Sequence, residues 1–340
     1  VGRPGSADER GGADAAAALL FGEATAERPV LAEVLTLIGA SDEFLDRWRD
    51  PLKASGEQWE ERFGFERYAA LIRSTAERAL DSAGLVEADR VVVTSPNTAV
   101  GKRLSALAKG RVSTSGTPVG FLGVADPLVA LSAVLDEAAA GETILLISAA
   151  DGCDALVLRT TEALLDHRQT IPVATAVAAG RPVPYTTYLS WRGILDMEPP
   201  RRPEPARPAG PPSARGAGWK FGLVGARCAA CGFVHLPPAR VCRECGAVDR
   251  MEPLTATALT GTVATYTVDR LAYSPAPPVV DVVVDFGAEM GAGRSTFEVA
   301  DADPSQIDVG TRVRLVFRRL FTAGGVHNYF WKARVSEEQG

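Results

Sequence analysis

The sequence predicts an α/β layered unit over residues 1–195, then a zinc ribbon over 219–252 and a five-stranded all-β barrel of OB type over 253–340. A linker rich in proline and arginine, residues 196–218, separates the first unit from the ribbon. Three observations carry this reading. Continuous apolar runs alternate with helix-length segments in the first half, the pattern of a sheet covered on both faces. Two Cys-x2-Cys hooks stand ten residues apart. Five short β-rich runs follow the hooks, divided by clusters of Pro, Gly and Asp.

Composition narrows the classes. Of 340 residues 46% are hydrophobic, enough to bury a sizeable core. The 36 basic and 42 acidic residues give a formal charge of −6, so no nucleic-acid partner is expected. No apolar run reaches the roughly 18 residues of a membrane span, and no signal-peptide order opens the chain. A cytoplasmic protein without membrane contact is expected, a setting in which thiols stay reduced and available to a metal. Val1 stands where a Met would open a reading frame, which suggests a piece of a longer protein.

Taken in order, residues 14–22 read as a small-residue segment entering a buried strand and residues 29–39 as an apolar strand. Ser41 with Asp42 and Glu43 reads as the capped, acidic first turn of a helix reaching Arg49. Tyr68, Leu71, Ile72, Ala76 and Ala79 recur at three-and-four spacing and predict a helix over 65–83, stopped by Gly84. Residues 91–96 form a buried strand and 99–109 a short helix. A helix over 126–140 ends at Gly141, and strands over 143–148 and 155–159 complete the unit. In the barrel the runs are 259–269, 279–286, 294–300, 311–320 and 326–335. Gly261 and Gly287 are expected to relieve crowding at its bends, and Gly291-Ala-Gly293 to form a turn.

Cys228, Cys231, Cys242 and Cys245 can place four thiolates tetrahedrally around one Zn²⁺. Gly232 and Gly246 each follow the second cysteine of a hook, where a tight knuckle tolerates no Cβ. Two disulfides or a redox centre are the alternatives, disfavoured by the absence of secreted character and of a strand-to-helix pattern around either hook. Four protein ligands leave no open position, so the metal is structural.

These residues carry a likeness. The stretch 219–335, through Cys-x2-Cys-Gly232, Phe233-Val-His-Leu-Pro-Pro238, Gly261-Thr-Val-x-Thr-Tyr266 and His327-Asn-Tyr-Phe-Trp-Lys332, resembles the zinc-ribbon plus OB-fold proteins associated with acyl-CoA enzymes. Residues 41–49, 120–147, Asp151-Gly152 and Tyr188-Leu-Ser-Trp-Arg-Gly193 are similar to the later portion of thiolase-superfamily condensing enzymes of the hydroxymethylglutaryl-CoA synthase branch. The resemblance implies a five-layered α-β-α-β-α architecture, a coenzyme A thioester as substrate or ligand, and a homodimer or a complex with a thiolase-family enzyme. It also exposes departures. The family's catalytic histidine falls at Thr94 and its asparagine at Phe121, neither of which can serve as base or oxyanion donor, and no segment corresponds to the nucleophilic cysteine.

Among the remaining candidates, Cys153 is flanked by Asp151 and Asp154, whose charge raises a thiol pKa, so inert packing is expected over nucleophilic use. His235 reads as a ring packed beside Pro237 rather than a fifth ligand, and His167 as a solvated side chain. Arg318, Arg319, Lys332 and His327 are the candidate ligands for coenzyme A phosphates, with a solvated barrel face as the alternative. For His327, strand alternation, with Tyr329 and Trp331 on one side and Phe330 on the other, is an equal reading. Two functions follow: an acyl-CoA-handling, synthase-like enzyme forming or cleaving carbon–carbon bonds, or a non-catalytic scaffold that binds acyl-CoA or a thiolase.

Overall fold

The computed structural model describes all residues except 1–3, 54–55, 104–109, 116–117, 181, 196, 199, 288–292 and 337–340. It divides into two compact units, Val1–Pro182 and Val183–Gly340. Among the described residues no helix is long and apolar enough to cross a membrane.

The first unit is a five-stranded mixed sheet. Its strands are β1 (Ala32–Ala40), β2 (Ala88–Thr94), β3 (Gly110–Ser115), β4 (Thr143–Ser148) and β5 (Cys153–Thr160), in the order β1-β5-β4-β2-β3. β2 runs parallel to β3 and β4, while β5 is antiparallel to β4 and β1. The two central strands are apolar throughout because both faces are covered. Val91, Val93, Leu145 and Ile147 point to helix α1 (Glu61–Ser82), and Val92, Ile144 and Leu146 to helix α2 (Asp126–Leu135). Each helix buries a single stripe, Tyr68, Ile72, Ala76 and Ala79 on α1 and Ala130, Leu131 and Val134 on α2, which is what three-and-four spacing produces. The described residues therefore build three layers of the five that the resemblance implies.

Two expectations for this unit are corrected, and one strand is additional. Residues 14–22 form no strand: Leu20 and Phe21 are largely exposed, Leu19 packs against the core under α2, and the backbone before them is held through Phe121 N–H to Gly11 O (2.7 Å) and Ala13 N–H to Phe121 O (3.2 Å). A run of alanines offers a sheet little side-chain area to pack. Ser41 to Arg49 is not a helix. Asp46 is buried there, its carbonyl accepting from Trp59 N–H and its carboxylate from Tyr68 Oη, and Arg47–Trp48 pairs with Glu57–Gln58. An isolated two-turn helix is marginal, and these tertiary bonds override it. β3 has no counterpart in the sequence reading, because Gly-Arg-Val-Ser-Thr-Ser carries neither alternation nor an apolar run. The helix expected over 99–109 spans only Thr98–Gly101, under an Asn97 cap and with Lys102 at its C-cap; residues 104–109 lie outside the described residues, as do two residues of the expected turn Gly291–Gly293.

In the second unit the linker is not bare chain: Gly210–Arg215 is helical, as is α3 (Ala217–Gly222). Strands β6 (Val224–Cys228), β7 (Val234–His235) and β8 (Met251–Thr255) form the ribbon sheet in the order β8-β6-β7. The barrel strands are β9 (Thr260–Asp269), β10 (Val279–Asp285), β11 (Arg294–Glu298), β12 (Arg312–Ala323) and β13 (Val326–Val335). Their order is β11-β10-β9-β12-β13, all antiparallel, and a parallel bridge from Val299 to Ala333, with Ala300 N–H on Ala333 O at 2.8 Å, closes the sheet on itself. This is the OB connectivity the five runs predict. The core holds Val263, Val282, Val284, Phe297, Val313 and Ala333, and also Leu223, Val234 and Leu236 from the ribbon side, so ribbon and barrel share one interior.

The two glycines differ. A Cβ on Gly261 would meet Val284 Cγ1 at 2.5 Å and Asp285 O at 2.8 Å, which is crowding by a neighbouring strand. Gly287 has open space around it and a φ of +59°, so it serves a turn. Gly261→Ala is therefore expected to destabilise the barrel by about 1–3 kcal/mol, because the clash includes backbone. A guanidinium titration that leaves the midpoint of the second unit unchanged would contradict this packing.

Candidate functional site

The four hook cysteines converge. Their Sγ atoms all lie within 4.8 Å of one another, with Cys228–Cys245 at 3.7 Å and Cys231–Cys242 at 3.5 Å. A tetrahedron of sulfurs about 2.3 Å from a central Zn²⁺ has edges of about 3.8 Å. None of the four is in a disulfide. The residues fit a Cys₄ zinc, and no open coordination position remains for chemistry.

Local backbone explains the convergence. Gly232 N–H bonds to Cys228 O at 2.8 Å and Gly246 N–H to Cys242 O at 3.0 Å, and both glycines have positive φ, +79° and +72°. Each hook thus folds back within one turn and aims both sulfurs inward. The Arg240 guanidinium grips Asp249 through two bonds, 2.7 and 2.6 Å, across the base of the second knuckle. Burial pushes the Cys228 thiol up, but N–H groups of Ala230 and Cys231 and the Cys245 thiol pull it down further, to about 7. Cys231 goes the other way: although the Phe233 N–H favours its thiolate, burial and the neighbouring cysteine thiols push it up to about 12, so the four thiols are not equally ready to lose a proton. His235 lies outside the sulfur cluster, buried against Phe233 with ring centroids 5.0 Å apart; burial, with Arg243 adding to it, lowers its pKa and keeps the ring neutral.

The four candidate coenzyme A ligands sit on β12 and β13, where three of them have partners of their own. Arg318 bonds Asp301 at 3.0 Å, Lys332 bonds Glu298 at 2.6 Å, and His327 Nδ1 meets Thr322 Oγ1 at 2.8 Å. Arg319, exposed and opposite Tyr329 in the ladder, makes no ion pair among the described residues, and neither does His327. Sequence spacing could not show this, since Asp301 and Glu298 reach these cations only through the closure of the barrel. Alternation is as expected: Phe330 packs on Phe297 and Trp219, while Tyr329 and Trp331 pack on Phe317.

In the first unit, Thr94 is buried and its hydroxyl donates to Ile147 O at 3.2 Å. Phe121 is engaged through its backbone with Gly11 and Ala13. Cys153 is buried beside Thr75, and burial first, then Asp154, push its thiol up to about 11. It stays protonated at neutral pH and is a poor nucleophile. A polar group centred on Asp46 lies at the same end of the sheet. Tyr68 Oη donates to Asp46 at 3.2 Å, Arg47 donates to Pro96 O at 2.6 Å, and Asn97 donates to Glu61 O at 2.9 Å. Gly64 makes room for it, since a Cβ there would stand 2.9 Å from both Asp46 Oδ2 and Asn97 Nδ2.

Two outcomes are expected. The protein should carry one zinc, and Cys228→Ser or Cys242→Ser should abolish stoichiometric metal by elemental analysis and lower amide protection in the barrel as well as in the ribbon. On acidification zinc should leave progressively below about pH 6, as the thiolates protonate. Separately, burial raises the Asp46 pKa above its ordinary value, so the folded state holds a proton that the unfolded state has released. Its contribution is therefore greatest at acid pH and is lost as pH rises through that raised value. Asp46→Asn should flatten this part of the pH–stability profile of the first unit; an unchanged profile in urea titrations between pH 4 and 7 would count against a buried, proton-retaining carboxyl.

Comparison with known proteins agrees with the cysteine geometry. Residues 221–249 match the family described as ChsH2, rubredoxin-like zinc ribbon domain. A DUF35 domain-containing scaffold protein of Methanothermobacter thermautotrophicus is 31% identical over 118 residues, which is 33% of this chain and 86% of that protein. Among solved structures, the Ltp2-ChsH2(DUF35) aldolase is similar at 25% identity with a TM-score of 0.29, over 39% of this chain and 98% of that one. The 3-oxoacyl-(acyl carrier protein) synthase III of Pseudomonas aeruginosa PAO1 is similar at 15% identity with a TM-score of 0.32, over 38% of this chain and 44% of that one. With most of the methanogen protein covered at that identity, the chain belongs to the DUF35 domain-containing family.

Proposed function

We propose that this chain is an acyl-CoA-associated scaffold: a thiolase-like, hydroxymethylglutaryl-CoA synthase-like unit without reactive groups of its own, joined to a zinc-ribbon and OB module that docks a thiolase-family enzyme. The chemistry, carbon–carbon bond formation or cleavage at a CoA thioester, would then reside on the partner. The observation that carries this reading is what stands where the resembling enzymes place their machinery. Thr94 is committed to Ile147 O, Phe121 offers no donor side chain, and Cys153 is buried as a thiol. Membership in a family whose relative is described as a scaffold protein supports the same view.

Within this reading the zinc is structural and supplies no chemistry to the reaction; its part is to fix the ribbon strands. Arg319, with the aromatic side chains beside it, is the group most open to a CoA phosphate, since Arg318 and Lys332 would first have to leave Asp301 and Glu298. A homodimer and a cytoplasmic location belong to the same proposal.

A second reading, a synthase-like enzyme whose nucleophile is supplied from outside this chain, is favoured by the likeness of residues 41–49, 120–147 and 188–193 to condensing enzymes. The two separate in one experiment. Incubated with acetyl-CoA or acetoacetyl-CoA, the purified chain is expected to release no thiol above the buffer rate, while calorimetry detects CoA thioester binding that weakens in Arg319→Ala. Thiol release by the chain alone would overturn the scaffold reading, and absence of any binding would remove the acyl-CoA part of it.

A further inference from the structure

The β12–β13 hairpin is longer than the barrel needs. β9 pairs with β12 only through residues 312–314, and β11 reaches β13 only at Ala333, yet the two strands stay paired with each other out to Ala323 and Val326. Residues 316–331 therefore form a two-stranded arm. A bare two-stranded ribbon is marginal in water, so an arm of this length gains from what lies against it. On the β13 side, helix α3 does so: Trp219 packs on Phe330 and Lys220 Nζ donates to Asn328 at 2.8 Å. At the tip the linker does so, through Glu204 on Gly324 N–H at 3.4 Å. Along the outer edge of β12, residues 316–322, no strand pairs among the described residues.

We infer that this outer edge of β12 is a docking site for an extended, acidic segment of a partner protein, which adds to the arm as a further strand. Seven residues at about 3.3 Å each give a platform of about 23 Å, broken by a register shift between Arg319 and Phe321, with alternate N–H and C=O groups facing outward on either side of the break. The neighbouring face offers side-chain contacts of the kind enriched at interfaces. Phe317 is stacked on Tyr329 (5.8 Å, 15°) and touched by Phe221 (6.1 Å), and all three rings are exposed by a third or more. Charge decides the occupant. Arg318 and Arg319 are consecutive on the edge and project to opposite faces, and only Arg318 has an acidic partner. Two copies of this edge would place like charges against each other, which disfavours self-pairing. An acidic strand would instead meet Arg319, which is exposed and makes no ion pair among the described residues. This inference does not depend on the acyl-CoA reading.

The test uses the full chain and a fluorescein-labelled peptide, acetyl-Glu-Val-Glu-Phe-Glu-Val-Glu-amide, followed by anisotropy and by hydrogen exchange. Saturable binding at or below about 0.1 mM is expected, weakened at least about tenfold by Arg319→Glu and by proline in place of the central Glu, with new amide protection confined to residues 316–322. A lysine-for-glutamate peptide should not bind. The inference is overturned if no peptide binds at about 1 mM, if Arg319→Glu binds as tightly as the parent, if the proline peptide binds equally, or if protection appears elsewhere.

Discussion

Strand β6 joins two constraints that could have been separate. One end carries Cys228, a sulfur of the metal cluster, and just before the other end Leu223 is fully buried in the barrel core. Its two sheet neighbours repeat the arrangement. β7 brings Val234 into that core, and β8, paired with β6 from Met251 opposite Cys228 to Thr255 opposite Val224, leads straight into the first barrel strand. Once the thiolates fix where β6 ends, the register of β8 and the entry of β9 follow. A small ribbon has too little apolar area to hold itself, and here it borrows the interior of its neighbour while the metal fixes its geometry.

The parts of this design that were legible in the sequence are those in which local pattern and tertiary environment agree. The two hooks with their knuckle glycines, the five barrel runs and the apolar strands β2 and β4 each carry a periodicity or spacing that the fold then uses. Where the sequence misled, a long-range bond outweighed a local preference. Ser41 to Arg49 looks like a helix start, yet Asp46 is taken up by Tyr68 and Trp59, residues whose proximity no local pattern announces. The alanines at 15–18 read as buried because they are apolar, but they contribute too little surface to hold a strand. β3 was silent because a polar strand at a sheet edge has no alternation to detect.

Candidate ligands were harder still. Arg318, Arg319 and Lys332 are basic and near in sequence, which suggests a common anion. The barrel instead distributes them, since β13 closes against β11 and brings Glu298 and Asp301 within reach of two of them. The same geometry leaves Arg319 alone opposite Tyr329. In the first unit the end of the sheet is likewise filled, with the hydroxyl of Thr94 and the carboxyl of Asp46 both turned to internal partners. Such groups hold loops together and are poor agents of proton transfer to an outside molecule.

The sulfur cluster is lopsided: Cys228 and Cys242 are buried, whereas Cys231 and Cys245 are exposed. Attack by a chelator or an electrophile must begin at the outer pair, one from each hook. Stripping those two sulfurs would leave the inner pair, again one from each hook, still bridging both loops. With that inner pair shielded from solvent, loss of a bound metal should be slow and stepwise rather than abrupt.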